Sequence, residues 1–160
     1  MILLKLYYHL ICLLKTIFYK LIYGKVFSMS LTSSYRSGFH LVIEEKGKIK
    51  IGQHCFFNNY CTLASRAGIT IDDGTLFGEN VKVYDHNHCY KDTSIPIKDQ
   101  GYTSAPIIIG KHCWVGSNVV ILKGVTIGDN CVIGAGCIIY KDVPDNSVVI
   151  NQQNLFIKLV

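Results

Sequence analysis

Residues 109–144 read IGKHCWVGSNVVILKGVTIGDNCVIGAGCIIYKDVP, and the apolar positions return every six residues. Ile109, Val115, Ile121, Ile127, Ile133 and Ile139 fill one slot, and Gly110, Gly116, Gly128 and Gly134 follow four of them. Four places after each aliphatic residue stands a small or β-branched one: Cys113, Val119, Val125, Cys131, Cys137 and Val143. Such a period is neither the 3.6 of an amphipathic helix nor the 2 of a strand. It fits a short extended segment followed by a corner. Three segments would close a triangular coil of about eighteen residues, with coils stacked about 4.8 Å apart. The aliphatic slot then points into a prism, and Gly and Asn at the corners supply the backbone freedom that turning requires.

An earlier run obeys the same rule less strictly. Ile51, Phe57 and Leu63 come first, with Cys55, Cys61 and Ala67 in the small slot; after a slip of two residues follow Ile71, Phe77 and Val83 with Thr75 and Val81. Of the seven cysteines, Cys55, Cys61, Cys113, Cys131 and Cys137 thus stand where a small buried side chain is wanted. The odd number and the lack of a C-x-x-C pair argue against a disulfide framework and fit a reducing cytoplasm. The expected division is an N-terminal amphipathic basic helix over residues 1–30, a coil over 31–150 interrupted by a loop over 84–106, and a C-terminal tail over 151–160.

On the stretch PIIIGKHCWVGSNVVILKGVTIGDNCVIGAGCIIYKDVPDNSVV, the chain resembles the hexapeptide-repeat acyltransferases, and within them the sugar O-acetyltransferases of the galactoside, maltose, capsule and lipopolysaccharide type. The resemblance spans about residues 40 to 150. It implies an all-β fold, a left-handed parallel β-helix, with handedness coming from the resemblance alone. It also implies a homotrimer with sites between subunits, acetyl-coenzyme A as co-substrate, no metal, and a sugar or glycan hydroxyl as acceptor. Two departures stand out: LKGV has Lys123 where many relatives have proline, and INQQNLFIKLV replaces the segment relatives place around the nucleotide end of the coenzyme.

Between Val83 and Ile107 the repeat stops, and Pro96, Gly101 and Pro106 punctuate a long irregular segment, the kind that is usually functional. It opens with VYDHNHCYKDTSIPI, residues 83–97. A sugar hydroxyl is a poor nucleophile at neutral pH, and an imidazole with pKa near 6.5 can take its proton as it attacks a thioester, for about 10²–10⁴ in rate. In the resembling streptogramin enzymes an Asn-His pair precedes a Pro-apolar pair. Asn87-His88 precedes Pro96-Ile97 at the same interval, which makes His88 the first choice of base and His86 the second. Asp85 is read as an acceptor-binding residue, or as one that orients an imidazole or ends a strand. Two rival readings stay open. His86, His88 and His112 could ligate zinc, as in the carbonic anhydrases of this fold, and Cys89 could be a nucleophile activated by His88. A non-catalytic scaffold is the third alternative, favoured by the altered C-terminal segment. The resemblance further assigns acceptor binding to Asn58, and coenzyme contacts to Trp114, Ser117, Ala135 and Lys141.

The net charge of +5 is confined to the start of the chain: Lys5, Lys15, Lys20, Lys25 and Arg36 all precede the first acid, Glu44. The rest is balanced, so nucleic acid is not an expected partner. Residues 1–23, MILLKLYYHLICLLKTIFYKLIY, read as a helix. Lys5, Tyr8, His9, Lys15, Thr16, Tyr19 and Lys20 share one arc, and Leu3, Leu6, Leu10, Leu13, Leu14, Ile17, Phe18 and Leu21 the opposite one. The apolar run is too broken to span a bilayer, and no small-residue cleavage site follows it. The helix is therefore expected either to cover the open first coil or pack within the trimer, or to contact the inner face of a membrane peripherally.

Overall fold

The computed structural model describes residues 2–152 and Lys158, with side chains from Leu6 onward. The expectations for Leu3, Lys5 and most of the tail over 151–160 lie outside the described side chains. From Phe27 on the chain winds as a three-faced prism. Phe27–Met29, Ile49–Ile51, Ile69–Ile71, Ile107–Ile109 and Thr126–Ile127 pair in that order on the first face. The second face stacks Ser34–Tyr35, Phe56–Phe57, Leu76–Phe77, Trp114–Val115, Val132–Ile133 and Val148–Val149. The third stacks His40–Ile43, Thr62–Ser65, Lys82–Tyr84, Val120–Leu122 and Ile138–Ile139. Every pair within these faces is parallel.

The six-residue slot points inward. Ile109, Val115, Ile121, Ile127, Ile133 and Ile139 are all buried, as are their small-slot partners. Each such Ile or Val contributes roughly 1.5–3 kcal/mol. On the second face the rungs widen to aromatics toward the N-terminus, and Phe57 stacks on Phe77 with ring centroids 4.4 Å apart. Left-handed corners fall in columns, with Tyr60, Asn80 and Asn118 in one and His54, His112, Asn130 and Asn146 in another, all at positive φ. Asn reaches this conformation at low cost because its short amide bonds locally.

Two details differ from the sequence reading. The coil begins earlier than residue 31, because the helix ends at Tyr23 and Phe27–Met29 already pairs with Ile49–Ile51. Val143, assigned to the small slot after Ile139, instead bridges Ile127 on the first face, since the last corner is shortened and Asp142 accepts the Thr126 N–H at 2.7 Å.

The helix Ile2–Tyr23 lies over the first coil with its polar side, and Lys15 and Lys20 stay exposed at the margins of that contact. Cys12 and Thr16 are buried, and Tyr19 and Tyr23 pack on the core. The Tyr35 hydroxyl donates to the Cys12 carbonyl at 3.1 Å, and the Tyr19 and Tyr23 hydroxyls donate to the carbonyls of Phe39 and Leu41, each at 3.4 Å. An end coil presents unpaired peptide groups. Tyrosine hydroxyls answer them and leucines cannot, so the leucine arc faces outward.

Candidate active site

The extra residues that break the hexad after Ser65 form a corner around a carboxylate. Asp85 is fully buried. Its Oδ2 accepts from Ser65 Oγ at 2.7 Å and from the N–H groups of Ala67 at 2.8 Å and Gly68 at 2.7 Å. Its Oδ1 accepts from the Arg66 N–H at 2.8 Å and faces His86 Nδ1 at 3.0 Å. Three successive amides aimed at one anion make a nest. Burial alone would raise the carboxyl's pKa, but the bonds from Arg66, Ser65, Ala67 and Gly68 outweigh it and hold the group below its ordinary value. The depressed pKa favours the ionised carboxylate, and both oxygens of Asp85 are engaged by the corner and by His86, the arrangement of a residue that orients an imidazole.

An ionised Oδ1 can only accept, so Nδ1 of His86 carries a proton, and in the neutral imidazole the lone pair is then on Nε2. The His86 side chain is 18% exposed. Beyond it the chain enters a hairpin in which His86–His88 pairs antiparallel with Tyr102–Ser104, setting His88 opposite Tyr102. His86 and His88 project from one side, as residues two apart on a strand must. The Tyr102 ring sits between them, 5.5 Å from His86 and 4.4 Å from His88. Arg66 closes the stack with its guanidinium 3.5 Å over Tyr102, while Glu44 and Glu45 hold its nitrogens.

Sequence reasoning missed Ser65, Arg66 and Tyr102. The two-residue slip after Ser65 marks the nest in the sequence, whereas nothing around Gly101-Tyr102 marks the ring.

His88 is exposed and, among the described residues, makes no side-chain hydrogen bond. It lines a cleft of about 630 Å³ under the loop with Asn87, Cys89, Lys91, Ile95 and Lys123. Cys89 is half-buried there. His112 lies at the corner between first and second faces, away from the other two histidines, and among the described residues no three His, Cys, Asp or Glu side chains converge as a metal site would need.

The remaining assigned residues divide between two edges of the prism. Asn58, Ser117 and Ala135 stand along the corner between second and third faces, with the Gly78–Glu79 turn between Asn58 and Ser117, on the side of the exposed Trp114. Asn58 Oδ1 accepts from Arg36 Nη1 at 3.3 Å, and Ser117 Oγ accepts from the Glu79 N–H at 3.1 Å. Lys141 is exposed at the other edge, between third and first faces, two turns along from Asp85 and His86 and one beyond Lys123. A full face separates the two sets within one chain.

Comparison with known proteins bears on the fold and the family. The family model described as hexapeptide repeat of succinyl-transferase matches residues 106–141. Nodulation protein L of Rhizobium meliloti is 40% identical over 104 residues, which are 64% of this chain and 55% of that protein. Galactoside O-acetyltransferase of Escherichia coli is 41% identical over 105 residues, 62% of this chain and 48% of that one. The match thus spans about half the length of these two relatives. A crystal structure of the hexapeptide-repeat-containing acetyltransferase of Vibrio cholerae aligns with TM-score 0.63 at 30% identity, over 78% of this chain and 69% of that one. The same protein bound to acetyl coenzyme A aligns with TM-score 0.60 over 71% of this chain and 64% of that one. With a prism that is the left-handed parallel β-helix of these proteins, the chain belongs to the hexapeptide-repeat acetyltransferase family.

Proposed function

We propose that the protein transfers an acetyl group from acetyl-coenzyme A to a hydroxyl of a sugar or glycan, with His86 as general base. The observation that carries this reading is the Asp85–His86 pair: an ionised, fully buried carboxylate fixes the imidazole's tautomer and direction. His86 takes this role ahead of His88, because a base works only when its free nitrogen is held in position. His88, which lines the cleft, contacts the acceptor. In the reaction Nε2 removes the hydroxyl proton, the alkoxide oxygen bonds the thioester carbonyl carbon, and the tetrahedral oxyanion collapses with loss of the coenzyme thiolate. The same imidazolium returns the proton to the leaving sulfur.

The site is completed by a second copy in a homotrimer. Support comes from the two-edge division of the assigned residues and from the outward row of the second face. There Phe56, Leu76, Trp114, Val132 and Val148 pair in register as a continuous apolar ridge, with Trp114 54% exposed. A neighbouring protomer seated on that ridge would bring its His86 edge toward Trp114, Ser117 and Ala135, where the coenzyme arm lies. Lys141, on the His86 edge, supplies a point charge for a phosphate.

The test is release of coenzyme A thiol against a panel of sugars, with His86→Ala and His88→Ala beside the parent. We expect His86→Ala to lower kcat about 10²–10⁴-fold and His88→Ala to act chiefly on the acceptor KM. A fully active His86→Ala protein overturns the assignment of the base, and absence of turnover with every acceptor overturns the proposed reaction.

A further inference from the structure

The N-terminal helix uses only one side to cap the coil, and among the described residues nothing covers its other side. Leu6, Tyr7, Leu10, Leu13, Leu14, Ile17, Phe18, Leu21 and Ile22 are between 43% and 79% exposed. So large a contiguous apolar face is unusual on a soluble surface and marks a contact site. Its rim is charged in a specific way. At about 100° per residue, Lys15 and Lys20 fall on opposite flanks of this face, roughly 110° either side of its centre. Lys25 follows just beyond the helix, Arg36 lies at the coil end beneath it, and no Asp or Glu occurs before Glu44.

We infer that this face lies in the surface of an anionic lipid bilayer, parallel to it, with the leucines among the acyl chains and the lysines at the phosphates. Three observations choose this occupant. The charge around the face is wholly positive, so a second copy presenting the same face would set Lys15 and Lys20 against their own kind. Lysines flanking an apolar arc that includes Tyr7 and Phe18, with Tyr8 at its edge, are the arrangement of an interfacial helix. No helix among the described residues is long and apolar enough to cross a membrane, so the face has depth for the headgroup boundary and not for a span. The hydrogen bonds from Tyr35, Tyr19 and Tyr23 pin the helix to the first coil, so the prism meets the bilayer end-on. His86 sits two coils above that end, clear of the lipid.

The experiment is flotation of the full chain with vesicles of phosphatidylcholine alone and of phosphatidylcholine with phosphatidylglycerol, alongside the oligomeric mass from light scattering. The parent should float with the anionic vesicles, more weakly at high salt, and poorly with phosphatidylcholine alone. Lys15→Gln with Lys20→Gln should lower partitioning about 25-fold, from about fivefold for each lysine. Leu14→Glu with Leu21→Glu should abolish flotation while leaving the oligomeric mass and melting temperature unchanged, because both side chains are exposed. A parent that stays with the sediment overturns the inference. So does a lysine-to-glutamine variant that floats like the parent, or a leucine-to-glutamate variant whose oligomeric mass falls, which would mean that another copy covers the face.

Discussion

Replacing Asp85 by asparagine separates the two things the carboxylate does. The amide oxygen can take the place of Oδ2 and keep the bonds from Ser65 Oγ, Ala67 N and Gly68 N. The amide NH2 then occupies the place of Oδ1, where the Arg66 N–H and His86 Nδ1 both point. It cannot accept from Arg66, and that stranded N–H costs about 1–3 kcal/mol. The three retained bonds fall from charge-assisted to neutral, about 1 kcal/mol each, offset by no longer burying a charge. The net loss is about 2–4 kcal/mol, or roughly 5–15 °C in Tm for a chain of this size. Catalysis should suffer more. An NH2 donates to Nδ1, the imidazole proton moves to Nε2, and the atom that must accept the hydroxyl proton already carries one. With the fold intact, kcat should fall on the order of 10²–10⁴ with KM little changed. Coenzyme release gives kcat and KM, circular dichroism gives Tm, and the nitrogen chemical shifts of His86 report the tautomer. A folded Asp85→Asn protein with kcat within about threefold of the parent would refute the role of this pair.

The same carboxylate sets an acid limit. Its folded pKa is depressed below the ordinary 3.8, so the stability it adds is present in full above about pH 4 and is lost as pH falls through the depressed value. A plot of Tm against pH should drop in the parent below pH 4 and be flatter there in Asp85→Asn; parallel curves would count against the linkage. Gly116→Ala would place a Cβ 2.7 Å from the backbone nitrogen of Ala135, so the coils must part, and a loss of about 1–3 kcal/mol is expected in chemical denaturation. Ile127 is 1% exposed between Ile109 and Val143, and Ile127→Asp should yield no soluble folded protein; a soluble variant melting near the parent would contradict the inward slot.

The prism was legible because its physics is periodic. One repeated slot must face inward, so Ile109 to Ile139 declare themselves by spacing alone. The aromatic rungs at Phe57 and Phe77 pass the same test because the inner column tolerates size when rings can stack. The corner lengths were less legible. Val143 looked like a small-slot residue, but the last turn is shorter, so Val143 comes into register with Ile127 while Asp142 accepts the Thr126 N–H. The helix was legible as amphipathic, but which side meets the coil depends on the unpaired carbonyls of Phe39 and Leu41, and no hydropathy count carries those. The cluster Asp85-His86-Asn87-His88 was legible as chemistry. The division of labour proposed within it was not, because it rests on amides at Arg66, Ala67 and Gly68 that sequence places far away.

That separation follows from how a parallel β-helix accommodates an insertion. Ile69–Ile71 pairs with Ile107–Ile109 in unbroken register although the whole loop lies between them, so the ladder is indifferent to what leaves the chain at a corner. The loop root still needs fixing, because a hairpin held only by His86–His88 and Tyr102–Ser104 would swing about its first residue. Asp85 is that first residue, and the corner one coil below supplies the amides that clamp it. The Asp85 carbonyl also accepts from the Ala105 N–H at 2.9 Å, which closes the root from the returning strand. One carboxylate thus anchors the arm to the prism and sets the tautomer of the adjacent imidazole. The coil carrying the clamp is the one whose hexad slips, since a corner that must present three amides to a neighbour cannot have the length of one that merely turns.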